Sequence, residues 1–205
     1  KTTLASQIFG LSPNSKVKMT LNGDPYNPQS PKEAIAAGVY MCPKDRASNA
    51  VVSEFDISNN LALPFFKKHS RFSFLRAKSL SQNAKNSISE LGIVCQSEVD
   101  SVTTLSGGNQ QKVMVGRWLS EDSSVLLLDE PFQGVDIKAR RDIGIQIRST
   151  SSQRATLIFV AELDEALEIA DRVIVLHEGN LVGEYQNKHE NIPEIVSSFS
   201  GSAYH

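Results

Sequence analysis

Val17, Met19 and Leu21 alternate with polar residues and run into Asn22-Gly23-Asp24-Pro25, a pattern that predicts a strand closing on a turn and a hairpin returning through Tyr26. Ahead of it, Thr2 to Phe9 predicts a helix. Behind it, Ser30-Pro31-Lys32-Glu33 combines a capping Ser, a Pro at the first helical position and a Glu three residues after the cap. Glu33 to Ala37 therefore predicts a short helix, which Gly38 ends. Val39-Tyr40-Met41 is brief, apolar and followed by Pro43, as a buried strand would be. Three further apolar runs lack alternation: Val125 to Leu128, Thr156 to Val160 and Val173 to Leu176. Such runs predict strands covered on both faces, as in a parallel sheet. Between them, Ile143 and Ile147 share one helical face, and Leu163, Ala166, Leu167 and Ala170 share another. Alternating strand and helix predicts an α/β layered sheet.

Two stretches break that rhythm. From about Ala50 to Thr104 the texture changes to Ser, Asn and Lys with isolated apolar positions, among which Ala84, Ile88 and Leu91 fall on one helical face. We read residues 50–104 as a small helical lobe inserted into a core formed by residues 1–49 and 105–185. Glu178-Gly179-Asn180 predicts a turn into a strand over Leu181 to Tyr185. The tail, residues 186–205, is polar, with only Ile192, Ile195, Val196 and Phe199 at helical spacing.

Composition narrows the class. A chain of 205 residues with 40% hydrophobic and 21% charged residues can bury a real core. It has no apolar run of the ~18 residues that a membrane span requires. A net charge of -2 is too balanced to predict nucleic-acid binding. Cys42 and Cys95 stand apart, without zinc-like spacing, and predict reduced thiols of a cytosolic protein. His69, His177, His189 and His205 are equally scattered. The opening Lys1-Thr2-Thr3-Leu4 has neither an initiator Met nor a signal segment, and it reads as a chain cut within a motif.

Candidate chemistry begins at Val125-Leu126-Leu127-Leu128-Asp129-Glu130-Pro131, where two adjacent carboxylates follow a buried strand, the edge at which α/β sheets gather ligands. A helix cap would explain one acid. Two neighbours repel, and neither is expected to be buried without a cation or a proton. Magnesium bound to phosphate wants hard oxygen ligands, so Asp129 is the candidate metal holder and Glu130 the candidate base toward an attacking water. Beside that pair, Lys1-Thr2-Thr3 matches the end of a P-loop, where an ammonium and a helix start converge on phosphates. Leu105-Ser106-Gly107-Gly108-Asn109-Gln110-Gln111-Lys112 then runs into a helix-like stretch over Val113 to Leu119. Ser106 can cap that helix. Adjacent Gly107 and Gly108 cost stability at a helix start unless the backbone must approach something closely.

Together these residues resemble the nucleotide-binding subunits of ATP-binding cassette (ABC) transporters. Leu105 to Gln110 matches their signature sequence, Val125 to Pro131 their Walker B strand, Gly134-Val135-Asp136 their D-loop, and Lys1-Thr2-Thr3 the end of Walker A. The Asn-Gln-Gln-Lys form of the signature and the Pro43-Lys44-Asp45-Arg46 loop are similar to the second ATPase half of ribose-type carbohydrate importers. The resemblance implies a P-loop NTPase fold with ATP and Mg2+ bound between two ATPase domains. Lys1 would contact the β and γ phosphates, Thr2 the magnesium together with Asp129, and Thr3 the region of the α phosphate. Glu130 would polarise water, Ser106, Gly107 and Gly108 would bind the partner's γ phosphate, and Asp136 would cross the interface. The implied partners are a second ATPase domain, transmembrane permease subunits that meet the lobe around Phe55 to Phe66, and an extracytoplasmic sugar-binding protein. The implied location is the cytoplasmic face of the membrane, and no nucleic acid is implied.

Two positions depart from the pattern. Lys44 stands where the family offers Gln or Glu, and a cation cannot ligate magnesium. Ala161 stands where a His would contact the γ phosphate. Both departures support an alternative in which this half mainly activates the partner's site. A DNA-repair or translation ABC protein would carry a coiled-coil insertion or basic tracts, and neither is visible.

Overall fold

The expected opening elements form as helix α1 (Thr2–Ile8) and a hairpin of β1 (Met19–Leu21) and β2 (Asp24–Tyr26) in a computed structural model that describes residues 1–13, 16–44, 51–71 and 74–201. The expectations placed on Asp45, Arg46, Ala50 and His205 lie outside those residues. Asn22 and Gly23 link the hairpin with φ of 55° and 92°, the left-handed pair that a two-residue turn between twisted strands requires. Helix α2 (Pro31–Ala36) is capped by the Ser30 hydroxyl, while Glu33 reaches back to the Gln29 N–H at 2.9 Å.

Three strands make the central parallel sheet: β3 (Val39–Cys42), β6 (Val125–Asp129) and β7 (Ala155–Phe159), in the order β3-β6-β7. The middle strand is sealed on both faces, with Leu126, Leu127 and Leu128 fully buried. Between β3 and β6 the chain builds helix α3 (Ile57–Ala62), a short hairpin of β4 (Ser70–Arg71) and β5 (Phe74–Leu75), helix α4 (Ala77–Leu91) and helix α5 (Gly107–Leu119). Helix α6 (Ile137–Ser149) follows β6, and α7 (Leu163–Ile169) follows β7.

Two cores result. One packs around the sheet with Val39, Met41, Leu127, Ile143 and Trp118, and the other gathers Ile57, Leu61, Ala84, Leu91, Val102 and Leu105 between α3 and α4. Helix α5 serves both, giving Val113 to the second core and Met114, Val115 and Trp118 to the first. Gly116 makes that possible, since a Cβ there would lie 2.5 Å from Leu91 and 3.3 Å from Leu61.

The run Val173 to Leu176 corrects the sequence reading. It forms β8 (Arg172–His177), which pairs antiparallel with β9 (Asn180–Gln186) and takes no place in the parallel sheet. Val173 and Val175 are buried, while Ile174 and Leu176 are exposed on a face that none of the described residues covers. Continuous hydrophobicity hid a strand buried on one side. The run expected at Thr156 to Val160 is likewise half covered, with Leu157 exposed on β7. The tail holds helix α8 (Ile192–Phe199), whose Ile195 is fully buried against Val173 and Val175.

Candidate active site

At the C-terminal end of β6 the chain leaves the sheet through two acids. Asp129 is 1% exposed, and neither of its carboxylate oxygens meets a hydrogen-bond partner among the described residues. Burying a carboxylate unpaired is costly, so this donor-free pair of hard oxygens fits a cation. It does not serve as a helix cap. Among the described residues no three acids, histidines or cysteines gather as a metal cage. Such a cation would therefore take most of its ligands from hydroxyls, phosphates and water.

Glu130 follows with φ of 51°, a left-handed backbone that a side chain larger than Gly rarely adopts. Its main chain is pinned there, the N–H donating to Phe159 O at 2.8 Å and the carbonyl accepting from Gln133 N at 3.1 Å. The turn aims the carboxylate at the end of β7. Oε2 accepts the Ala161 N–H at 3.1 Å, and Oε1 lies 3.4 Å from Lys1 Nζ, which also donates to Val160 O at 2.7 Å. Lys1, Glu130 and Ala161, distant in sequence, thus meet at one point. Thr2 and Thr3 open α1 beside it and are exposed, as is Lys44 beyond the end of β3.

Beneath the acids the floor is buried. Cys42, paired in register with Leu128, is fully buried, and burial pushes its thiol up to about 12, with Arg117 pulling it down and Asp129 adding to the rise. Arg117 is 3% exposed, and desolvation lowers its guanidinium to about 10. It donates through Nε to Asn60 O at 2.6 Å and through Nη2 to Asn60 Oδ1 at 3.1 Å. Asn60 Oδ1 also accepts the Val52 N–H at 2.9 Å, fastening the segment ahead of α3 to that helix.

A second group of predicted residues sits on the N-termini of α5 and α6. Ser106 caps α5, its hydroxyl accepting from Asn109 N at 3.4 Å and Asn109 Nδ2 at 3.0 Å. Gly107 and Gly108 form the first turn. A Cβ on Gly108 would sit 3.3 Å from Ala139 Cβ, so α5 and α6 approach closely at this glycine. Asp136 caps α6 by accepting the Ala139 N–H at 2.8 Å. Ser106, Gly108 and Asp136 share no hydrogen bond with Lys1, Asp129 or Glu130; they form a separate surface. Gln111, 1% exposed, joins the two groups by donating from Nε2 to Pro131 O at 2.8 Å. Sequence reasoning quoted Gln111 without giving it a role, although a polar residue on the inward face of a helix was the signal.

The stretch Phe55 to Phe66, expected to face a membrane subunit, buries part of its apolar side chains and leaves Phe55, Leu63 and Phe66 half-buried. Ile57, Leu61, Ala62 and Phe65 are buried, and none of residues 55–66 is exposed. Exposed polar residues flank it: Ser53 and Glu54 on one side, Lys67 and Lys68 on the other.

The family model described as ABC transporter matches residues 1–133. The chain is similar to a ribose import ATP-binding protein of Rubrobacter xylanophilus, 33% identical over 98% of this chain and 39% of that protein. It is also similar to an arabinose import ATP-binding protein of Vibrio parahaemolyticus, 37% identical over 93% of this chain and 38% of that protein. The chain thus spans about two fifths of the length of these relatives. Among solved structures, a nucleotide-free ATP-binding cassette from an ABC transporter aligns with a TM-score of 0.78 at 18% identity, covering 95% of this chain and 79% of that one. A dimeric cassette in a post-hydrolysis state bound to ADP and Pi aligns with a TM-score of 0.75 at 16% identity, covering 91% of this chain and 80% of that one. At such identities the likeness is one of fold.

Proposed function

Since the chain belongs to the ABC transporter family, we propose that it is an ATP-binding and hydrolysing motor segment of an importer, with a carbohydrate as cargo. The observation that carries this reading is the strand end: a buried Asp129 without a partner, followed by a Glu130 anchored through one oxygen. The names of the ribose and arabinose import relatives support the cargo class.

In this reading the Lys1 ammonium leaves Val160 O for the β and γ phosphates of ATP, with Thr3 near the α phosphate. Asp129 and the Thr2 hydroxyl would hold Mg2+, which supplies charge neutralisation across the phosphates when bound. Lys1 in its new place no longer faces Glu130 Oε1. That oxygen then accepts the proton of the attacking water while Oε2 stays on the Ala161 N–H. The water oxygen bonds to the γ phosphorus as the bond to ADP breaks. Ala161 contributes its main chain in place of a side chain, and Lys44 contributes no metal ligand.

Ser106, Gly107, Gly108 and Asp136 face the ATP of a second ATPase domain, so closure of two such domains drives the coupled permease subunits. An extracytoplasmic sugar-binding protein delivers the cargo, and the motor works at the cytoplasmic face as a peripheral subunit. No helix among the described residues is long and apolar enough to cross a membrane. The rival reading, a half that only activates its partner, draws on Lys44 and Ala161. The poised Glu130 speaks against it.

The test is Glu130→Gln in the full-length protein with its membrane subunits. Phosphate release from this site is expected to fall ~100-fold to ~10,000-fold, the range of a positioned base, while ATP binding persists. An unchanged rate at this site would overturn the assignment.

A further inference from the structure

Lys112 lies within the signature run but is 4% exposed, so it cannot serve a ligand from the surface. Its ammonium donates to Asp142 Oδ2 on α6 at 2.7 Å and to Gly92 O at 2.9 Å. Gly92 ends α4 in the left-handed conformation, so Lys112 completes the carbonyl end of the lobe's long helix, where a cation is favoured. One buried charge therefore joins three elements.

Position along the helices gives the junction its meaning. Lys112 stands six residues beyond the Ser106 cap, and Asp142 six residues beyond the Asp136 cap. The close approach of Gly108 to Ala139 lies nearer the same ends. Helices α5 and α6 thus run side by side in one direction with their capped ends level. The ion pair sits about 9 Å behind both caps at the helical rise. Sliding one helix by one residue would displace its cap from the other by about 1.5 Å.

We propose that Lys112 is a positioning residue: its bonds to Asp142 and Gly92 lock the register of the Ser106 and Asp136 helix ends and tie both to the lobe. The proposal rests on the reading above that these ends act on the opposite ATP. A groove of about 330 Å³ opens beside the clamp between Glu90 and Gly92 on the lobe and Lys138 and Ile145 on α6. On the same side Gln146 donates to Glu90 at 3.2 Å. Lys112 touches no phosphate, and its loss acts through geometry alone.

The experiment compares Lys112→Met, Lys112→Arg and Asp142→Asn in the full-length protein with its membrane subunits, measuring kcat and KM for MgATP and fluorescent-nucleotide binding at this domain's own Walker site. Displacements near 1 Å cost up to ~100-fold in rate, so Lys112→Met is expected to lower kcat at the opposite site at least tenfold, with own-site affinity within about twofold of wild type. Lys112→Arg restores most of the rate, because a guanidinium can donate to both acceptors. Asp142→Asn, at a partly exposed position that tolerates the change, loses severalfold in kcat at unchanged KM. If Lys112→Met does not fold, the other two variants carry the test. A wild-type kcat in Asp142→Asn, or a Lys112→Arg enzyme as slow as a disabled one with folding intact, overturns the clamp. Ser106→Arg serves as the control: if it leaves the opposite site working, the reading of the helix ends has failed, whereas a dead Ser106→Arg beside a normal Lys112→Met condemns the clamp alone.

Discussion

The two groups of predicted site residues differ in how well the chain satisfies them. At the ends of α5 and α6, Ser106 and Asp136 each accept hydrogen bonds from their own helix, and the glycine turn packs against Ala139. At the end of β6, Asp129 has no partner among the described residues, and Glu130 holds a strained backbone with one oxygen facing the Lys1 ammonium. The helix ends are stable as they stand. The strand end is complete only with a ligand, and that asymmetry separates residues whose loss costs stability from residues whose loss costs chemistry alone.

Asp129→Asn probes the difference most severely. Removing an uncompensated buried charge should raise the unfolding free energy of the nucleotide-free protein by about 1–3 kcal/mol. The same change should abolish the stabilisation that MgATP gives the wild type, because the cation loses its anionic ligand. Urea unfolding of the full-length protein with and without MgATP reads both effects. A destabilised nucleotide-free variant would show that Asp129 is a structural acid and would erase the contrast.

Much of this contrast could be read in the sequence. Two adjacent acids after an apolar strand and a Ser before two glycines announce themselves by residue type and order, whereas the helix that Asp136 caps was not read from the sequence. Other features gave no signal. Val173 to Leu176 is apolar throughout, yet half of it is exposed, because hydrophobicity records what a side chain tolerates and leaves open what covers it. The Ala161 N–H and the Val160 carbonyl are main-chain groups that every residue carries, so their aim at Glu130 and Lys1 arises only from the pairing of β6 with β7. Arg117 and Lys112 are charges on buried helix faces, and their partners at Asn60 and Asp142 come from distant segments.

Asp136 sharpens the comparison from the other side. Asp136→Ala removes the cap of α6 and should cost about 1 kcal/mol of stability in urea unfolding. Asn caps a helix as well as Asp, so Asp136→Asn should keep that stability while removing the negative charge. Turnover lost in both variants would assign the charge a role beyond the cap. Turnover lost only in the Ala variant would reduce Asp136 to a structural residue.

The smallest effect expected concerns the floor of the strand end. The Cys42 thiol in the folded chain is pushed up to about 12 by burial, against about 8.5 for a thiol in water. Below that ordinary value both folded and unfolded chains keep the proton, and stability does not depend on this group. Above it the unfolded chain releases the proton while the folded chain retains it, so this part of the stability declines until pH passes the folded value. Between pH 7 and pH 9 the decline should be about 0.8 kcal/mol. Cys42→Ala removes it, and the difference is read by comparing the pH 7 to pH 9 change in urea midpoint for the two proteins. Cys95, only partly buried in the lobe, should react with an alkylating reagent in the native protein while Cys42 does not. Prompt alkylation of Cys42, or an identical pH response in Cys42→Ala, would mean that water reaches the floor beneath Asp129. The unpartnered carboxylate would then be solvated, and the contrast between the strand end and the helix ends would disappear.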